Sequence, residues 1–185
     1  MLDTTRLEAA RIALGKAGPQ DRDALERLRL LSLQRLLEPS LLTAQRRTLR
    51  AYTEFDPRLV EDGTYYVLEV NGRIAASGGW SRRAALVRRA GDIPGKERFL
   101  DPSCDPAAVR AMYTHPDFAR MGLGTILLAA AETGARLAGF RRAELIATSA
   151  GRELYLARGW REASRITLGP DDGSAIDAFL MQRDL

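Results

Sequence analysis

The feature that most constrains the fold is a strand, a glycine turn and a helix in direct succession, AMYTHPDFARMGLGTILLAAAE over residues 111–132. Glycine weakens a helix, yet Gly122 and Gly124 stand where this helix begins. Free backbone N–H groups and the helix dipole favour an anion at a helix N-terminus, and glycine lets a ligand approach the backbone closely. The segment therefore predicts a phosphate or pyrophosphate site made of backbone amides, with Arg120 as an added cation.

This glycine turn matches neither of two common nucleotide-binding motifs. A dinucleotide fingerprint needs a third glycine where Leu127 stands, and a P-loop needs a Gly-Lys-Ser/Thr run that the turn lacks. A helix that packs tightly on its neighbour through small residues would also explain the two glycines. The turn by itself leaves both explanations open.

The remaining pattern predicts one mixed sheet covered by helices. Asn71-Gly72 joins the runs TYYVLEV and RIAASGGW, and this dipeptide suits a type I′ hairpin turn because both of its residues tolerate positive φ. In chain order the predicted elements are β-α-α-β-β-β-α-β-α-β-β, an α/β (α+β) fold with a mostly antiparallel sheet, in a single domain over 1–185. A first strand is predicted at Arg11–Leu14, a connector begins at Asp56-Pro57, and Val87–Pro106 is predicted to be a long loop.

Composition excludes several classes of protein. Cys104 and His115 are the only cysteine and the only histidine, so we expect no intrachain disulfide and no metal. The segment MLDTTRLEAARIALGKAG carries charges throughout, so we expect neither a signal peptide nor a membrane anchor, and we expect a cytoplasmic protein. Arginine supplies nearly all of the positive charge and suits phosphate ligands, but the net charge of +4 is modest. Interleaved acids argue against a nucleic-acid-binding stripe.

Two segments of the chain resemble a known family. AMYTHPDFARMGLGTILLAAAE resembles motif A of the GNAT superfamily of N-acetyltransferases, and LYLARGW resembles the later segment of that superfamily with a tyrosine, three residues, a glycine and an aromatic residue. The hairpin ending in GGWSRR resembles the front half of the same fold. The resemblance covers nearly the whole chain and is specific from Val109 to Trp160. The chain departs from the pattern at Ala119, where motif A usually has Arg or Gln, and at Thr148 and Ser149, where many relatives have an asparagine.

The resemblance implies acetyl transfer from acetyl coenzyme A (acetyl-CoA) to an amine of a small molecule or a peptide, by direct attack and without a covalent enzyme intermediate. The pyrophosphate would be held by the turn formed by Arg120, Met121, Gly122, Leu123, Gly124 and Thr125. The pantetheine arm would add to the strand backbone at Met112, Tyr113 and Thr114. A backbone N–H from the same stretch would stabilise the oxyanion of the thioester.

The reaction needs a base and an acid. A lysine-like amine has a pKa of about 10.4, so a base or a water chain must take its proton. Glu144 resembles a strand glutamate that serves as the base in some relatives, and a salt-bridged structural glutamate is the alternative. Glu69 is a second candidate, with a solvated strand face as its alternative. Tyr155 of LYLARGW matches the GNAT tyrosine that protonates the leaving thiolate, and its alternative is a core tyrosine.

Other features leave the acceptor unidentified. Trp80 would line the acceptor pocket or lie in the core, and His115 is expected to be structural because it precedes Pro116 at the end of a strand. Two rival functions are an acyl-CoA-binding regulatory module without turnover and an arginine-rich nucleic-acid binder. Retention of Tyr155 argues against the regulatory module. No membrane partner is expected, and a homodimer stays open.

Overall fold

The Asn71-Gly72 turn sets the register of the first hairpin. In a computed structural model, which describes residues 10–87 and 98–185, both residues have positive φ, 52° for Asn71 and 76° for Gly72. The turn joins strands β2 (Tyr65–Val70) and β3 (Arg73–Ser81), which pair antiparallel. This confirms the predicted hairpin, whose positive φ angles match the right-handed twist of the two strands.

Seven strands form one sheet in the order β1-β2-β3-β4-β5-β7-β6. Besides β2 and β3, they are β1 (Ile12–Lys16), β4 (Ala107–Thr114), β5 (Arg142–Thr148), β6 (Arg161–Leu168) and β7 (Ile176–Asp184). Neighbouring strands are antiparallel except β4 and β5, which are parallel. The predicted mixed and mostly antiparallel sheet is therefore confirmed, although β1 lies slightly later than the predicted Arg11–Leu14.

Five α-helices lie within the described ranges. They are α1 (Arg22–Ser32), α2 (Thr43–Tyr52), α3 (Arg58–Glu61), α4 (Leu123–Leu137) and α5 (Ser149–Leu156). A π-helical turn, Leu33–Leu37, continues α1. The predicted order of elements is confirmed except that α3, a single turn, replaces part of the predicted connector. Asp56 causes this turn, because its carbonyl accepts from Leu59 N at 3.1 Å and its carboxylate accepts from Arg58 N at 3.2 Å.

The helices cover the two faces of the sheet. On one face α4 and α5 pack against the buried strand residues Ala107, Val109, Ala143, Leu145, Ala147 and Met181. On the other face α1 and α2 bury Leu28 and Leu49 against Tyr113, Ile176 and Ala178. Because β5 alternates regularly between the faces, its odd-numbered residues face α4 and its even-numbered residues face α1 and α2. No helix in the described part of the chain is long and apolar enough to cross a membrane.

Strands β4 and β5 separate soon after they meet. Their only paired positions are Ala107 with Ala143 and Ala108 with Glu144, after which the two strands diverge toward their C-terminal ends. We call the space between Val109–Thr114 and Leu145–Thr148 the β4–β5 gap. Helices α4 and α5 both begin beyond its open end.

A bulge in β4 accompanies this separation. Gly78 of β3 faces both Ala111 and Met112, because the register shifts between the pairs Gly79–Arg110 and Ser77–Tyr113. Ala111 has φ of 55°, a left-handed conformation that costs a non-glycine residue energy. A bulge bends its strand and increases the local twist, so this one turns β4 away from β5.

The predicted loop Val87–Pro106 lies partly outside the described residues, which exclude 88–97. Of the described part, Phe99 forms a β-bridge with Arg83, and Leu100 N donates to Arg82 O at 2.7 Å. These contacts extend the hairpin between β3 and β4 beyond the ends of both strands.

Candidate functional site

The turn before α4 contains two left-handed residues. Arg120 has φ of 64° and Gly122 has φ of 84°, and Gly122 is the N-cap of α4. A Cβ at Gly122 would have no neighbour within 4 Å, so glycine is favoured here by conformation and not by lack of space. The space beside Gly122 is therefore open to a ligand.

The same turn presents backbone donors without acceptors. Among the described residues, no acceptor is found for the N–H groups of Met121, Gly122, Leu123 and Gly124, whereas Thr125 N donates to Gly122 O at 3.0 Å. These four donors stand at the positive end of the α4 dipole. We call them the amide cradle, and the exposed Arg120 is its neighbour in sequence.

Gly124 has a second role that the amide cradle does not need. An added Cβ would lie 3.1 Å from Leu154 Cδ2 of α5, so glycine lets α5 pack closely on α4. The two glycines of the turn therefore correspond to the two predicted explanations. Gly122 provides the turn conformation, and Gly124 provides close helix packing.

Tyr65 holds the bulge in β4. Its hydroxyl donates to the carbonyl of Ala111 at 2.7 Å and lies 3.0 Å from Ser77 Oγ. Tyr65 is fully buried, and burial raises the pKa of its phenol far above the usual range, so the hydroxyl remains a donor. Gly79 permits this arrangement, because a Cβ there would lie 2.3 Å from Thr64 O. Sequence analysis missed the role of Tyr65 because its partners are distant along the chain.

A buried ion cluster lies beside the bulge. Arg110, the residue before Ala111, places Nη1 3.1 Å from Asp56 Oδ2, and Arg58 binds the same carboxylate at 2.8 and 2.9 Å. Burial alone would raise the pKa of Asp56, but the hydrogen bonds from Arg58 and the charge of Arg110 outweigh it and lower the pKa to about 2. Asp56 therefore stays ionised and connects α3 to β4 next to the bulge.

The three predicted pantetheine residues follow the bulge. Met112 packs toward α4, while Tyr113 is buried toward α1 and donates from Oη to Thr53 O at 3.2 Å. Burial raises the pKa of Tyr113 to about 12. Thr114 N donates to Ser32 Oγ at 3.4 Å.

Ser32 is a site residue that sequence analysis missed. Since His115 N donates to Ala75 O on the β3 side, the alternation of a strand directs Thr114 N toward the β4–β5 gap, where Ser32 meets it. A signal was present, because Ser32 continues the apolar stripe of α1 at Leu25 and Leu28 and is 2% exposed. A hydroxyl on a buried helix face needs a partner.

Tyr155 lies in α5, buried on the α4 side of the sheet. Its ring meets Trp160 edge to face with centroids 6.0 Å apart, and no hydrogen bond of its hydroxyl is found in the described ranges. Burial, with a smaller contribution from Tyr113, raises the pKa of Tyr155 well above its usual range. The hydroxyl therefore remains protonated.

Glu132 and Trp160 fix the surroundings of Tyr155. Trp160 Nε1 donates to Glu132 Oε1 of α4 at 2.8 Å, and Arg183 Nη1 of β7 lies 3.0 Å from the same oxygen. Glu132 is 7% exposed, and these donors supply the hydrogen bonds that a buried carboxylate needs. These hydrogen bonds join Glu132 of α4 to Trp160, which follows α5, and to Arg183 of β7. They fix the position of the Trp160 ring, which packs on Tyr155.

Glu144 lies on the opposite face of the sheet from Tyr155. Gln182 Nε2, from the paired residue of β7, donates to Glu144 Oε1 at 2.7 Å, and no salt bridge to Glu144 is found among the residues described. The structure thus gives this glutamate a neutral partner, not the cationic partner of the structural alternative. Glu69 lies on β2, which β3 separates from β4, so it is not brought to the gap.

Trp80 packs in the core beneath α4. It is 6% exposed and meets Phe140 edge to face, with ring centroids 5.7 Å apart. A Cβ added at Gly134 of α4 would lie only 2.6 Å from Trp80 Nε1, so the ring packs directly against that glycine. This location matches the core alternative for Trp80. His115 Nδ1 accepts from Asp117 N at 3.2 Å and so caps a short 3-10 turn, which is a structural role.

The described part of the chain contains no group of three or more His, Cys, Asp or Glu side chains that could hold a metal ion. Cys104 is exposed, and its carbonyl accepts from Arg142 Nη2 at 2.6 Å.

Comparisons with known proteins identify relatives of this arrangement. The sequence profile of the Acetyltransferase (GNAT) family matches residues 30–160. A search of curated proteins found no match.

Several solved structures share the fold. A GCN5-related N-acetyltransferase from Rhodopseudomonas palustris has a TM-score of 0.66 at 16% identity, covering 94% of this chain and 95% of that one. The PaiA N-acetyltransferase from Thermoplasma acidophilum, in complex with coenzyme A, has a TM-score of 0.65 at 12% identity, with coverages of 95% and 99%. A ribosomal-protein-alanine N-acetyltransferase from Brucella melitensis has a TM-score of 0.63 at 17% identity, with coverages of 94% and 99%.

Proposed function

The chain belongs to the Acetyltransferase (GNAT) family of acyltransferases, and on this premise we propose that it transfers an acetyl group from acetyl-CoA to an amine of a small molecule or a peptide. The observation that carries the proposal is the amide cradle at Met121–Gly124, which lies beyond the open end of the β4–β5 gap. The complex of the PaiA relative with coenzyme A supports the choice of donor.

The amide cradle binds the pyrophosphate of acetyl-CoA in this proposal. Four N–H groups and the α4 dipole supply positive potential without a buried side-chain charge, and Arg120 adds a mobile guanidinium from the surface. From the amide cradle, the pantetheine arm follows the edge of β4 at Met112–Thr114 into the β4–β5 gap. The thioester then lies near the bulge, where backbone N–H groups of β4 can stabilise its oxyanion.

Acetyl transfer proceeds by direct attack of the amine. The amine nitrogen bonds to the thioester carbonyl carbon, the C–S bond breaks, and the sulfur leaves as a thiolate that must receive a proton or a hydrogen bond. Tyr155 supplies that hydrogen. Because burial raises the pKa of Tyr155, its hydroxyl holds the proton through the reaction and donates to the sulfur as negative charge develops there.

The proton of the amine passes through water to Glu144, whose pair with Ala108 is the last before the β4–β5 gap opens. Glu144 has a neutral amide partner in Gln182, so its carboxylate keeps free lone pairs for a proton. Tyr155 and Glu144 lie on opposite faces of the sheet. The acceptor amine can therefore approach the gap from the face of Glu144, while Tyr155 donates its hydrogen bond to the sulfur from the other face.

The proposal is tested by two measurements on the purified chain. Thiol release from acetyl-CoA is followed across a panel of amines, and mass spectrometry identifies the acetylated acceptor. Calorimetry of coenzyme A binding then compares Gly122→Val with the matched control Gly173→Val. Both glycines have φ near 84° and no neighbour within 4 Å of an added Cβ, but Gly173 lies in the turn before β7.

We expect Gly122→Val to weaken coenzyme A binding by about tenfold or more, since it distorts the amide cradle, and Gly173→Val to leave it unchanged. Equal affinities in the two variants would move the pyrophosphate site elsewhere. Coenzyme A binding without thiol release from any amine would instead support the regulatory module.

A further inference from the structure

A second concave surface lies on the outer side of α1 and α2. It is a cleft of about 580 Å³ lined by Gln34, Arg35, Glu38, Pro39, Thr43, Arg46, Arg47 and Arg50. We call it the arginine cleft. Gln34 and Arg35 come from the π-helical turn after α1, a local distortion that is frequent at functional sites.

The charges of the arginine cleft are unbalanced. Arg50 pairs with Glu38 at 2.6 and 2.9 Å, which uses the one acid in the lining. Within the described residues, Arg35, Arg46 and Arg47 have no salt-bridge partner. Many other arginines of the chain do have one, including Arg29, Arg98, Arg152, Arg161, Arg165 and Arg183.

Two of these arginines, Arg46 and Arg47, have identifiable neighbours. Arg46 Nε donates to Leu41 O at 3.0 Å, which fixes one guanidinium along the wall of the cleft. Asp172, in the turn before β7, has its pKa lowered mainly by hydrogen bonds with Ser174 and slightly by the charge of Arg47. Asp172 is therefore near Arg47, but among the described residues the two side chains form no ion pair.

The π-helical turn connects the arginine cleft to a residue at the β4–β5 gap. Ser32, which meets Thr114 N at the gap, is followed directly by the π-helical turn that lines the cleft. Leu33 of that turn packs in the same cluster as Tyr113 of β4. Since a helix with its side chains is about 10 Å thick, an extended ligand a few residues long can reach from the cleft to the gap.

The chemistry of the lining favours carboxylates on a peptide. Guanidinium groups bind carboxylates through paired N–H donors, and three of them without ion-pair partners can take several carboxylates of one segment. Single-stranded nucleic acid needs aromatic stacking surfaces, and none of the lining residues is aromatic.

We propose that the arginine cleft binds an acidic segment of a peptide or protein acceptor, while the amine of that acceptor reacts at the β4–β5 gap. The inference rests on the proposed acetyl transfer and adds its substrate class. The proposed ligand is a glutamate- or aspartate-rich polypeptide, and not free phosphate or RNA.

The test uses peptides with a free N-terminal amine, a Gly-Ser linker of zero to six residues and a tail of four glutamates, four glutamines or four lysines. Fluorescence anisotropy of a label at the C-terminus measures binding without any need for catalysis. Acetylation assays give the KM for each peptide. The test variant is Arg46→Gln with Arg47→Gln, and the matched control is Arg136→Gln with Arg141→Gln, which removes two exposed arginines elsewhere.

We expect the glutamate peptide to bind about tenfold more tightly than the glutamine peptide, and the Arg46/Arg47 variant to lose about tenfold of that affinity, as several surface charge pairs together would give. The control variant should change affinity less than about twofold, and the loss should shrink at high salt. The KM for acetyl-CoA should not change, which separates the cleft from the site of the donor.

Other results overturn the inference or the proposed function separately. Acetylation of all three peptides with equal KM overturns the acidic segment and leaves acetyl transfer intact. Competition by inorganic phosphate or polyuridylate as strong as that of the glutamate peptide also overturns it. Arginine-dependent binding of the glutamate peptide without thiol release from any amine contradicts the proposed function and supports the binding surface.

Discussion

The two ends of the proposed acetyl-CoA site are built in different ways. The amide cradle consists of consecutive residues, which are partly exposed apart from the buried Leu123, and it depends on the positive φ of Gly122. The bulge in β4, at Ala111 and Met112, is partly buried and depends on side chains from other elements. Tyr65 reaches the carbonyl of Ala111 across 46 residues, and Asp56 reaches Arg110 across 54.

This difference separates binding from chemistry. The amide cradle supplies affinity through backbone donors, and Gly122 has no neighbour within 4 Å of an added Cβ, so changes at Gly122 should alter ligand binding more than core packing. The bulge and its neighbours hold a strained strand in the core, so changes there should alter stability and turnover more than affinity.

Tyr155→Phe should produce the largest effect, on turnover alone. Phenylalanine keeps the ring that packs on Trp160 but removes the hydrogen donated to the leaving sulfur. Loss of one hydrogen-bond donor to the charge that develops in the transition state typically lowers turnover by about 10²–10³-fold. Steady-state kinetics should show that loss, and calorimetry should show an unchanged affinity for coenzyme A. Wild-type turnover in this variant would assign Tyr155 to the core.

Asp56→Asn should strongly destabilise the bulge region. It leaves Arg110 buried beside the bulge without its carboxylate, and breaking a buried ion pair costs about 3–5 kcal/mol. Asp177→Asn is the control, because it breaks the exposed pair with Arg165, which is worth about 1 kcal/mol or less. Thermal unfolding at neutral pH compares the two variants, and equal losses would contradict a buried cluster that supports the fold.

The same pair of variants gives a pH dependence. The pKa of Asp56 is lowered to about 2 in the folded chain and is about 3.9 in an unfolded one. Its stabilisation is therefore fully present above about pH 4 and is lost as the pH falls toward 2. Wild type should lose thermal stability over that interval, and Asp56→Asn should lose less there because one of the carboxylates that stabilise the folded chain no longer titrates.

Tyr65→Phe should have a smaller effect on both stability and turnover. It leaves the buried carbonyl of Ala111 without its donor, which costs about 1–3 kcal/mol. Because the bulge then relaxes, we expect turnover to fall while coenzyme A affinity stays near that of wild type. Tyr66→Phe is the control, since its half-buried hydroxyl has no hydrogen bond in the described ranges. A Tyr65→Phe variant with lower coenzyme A affinity and normal turnover would contradict the division between the two ends.

Local sequence determined much of the fold and one end of the site. Asn71-Gly72 predicts its hairpin and Gly122 its turn, because positive φ is a property of one or two residues. Hydrophobic periodicity likewise predicts the order of strands and helices, since each period spans a few neighbouring positions. The short helix α3 was missed because its cause is the side chain of Asp56, not a periodic pattern.

The partner of each side chain, by contrast, depends on how the elements pack together. Gly124 faces Leu154, Trp80 lies under Gly134, and Glu144 accepts from Gln182, and in each case the partner comes from another element. The same holds for Tyr65 and the bulge, and for the three arginines without ion-pair partners that line one cleft. Local preferences act over a few residues, whereas these contacts depend on strand register and helix packing across the whole sheet.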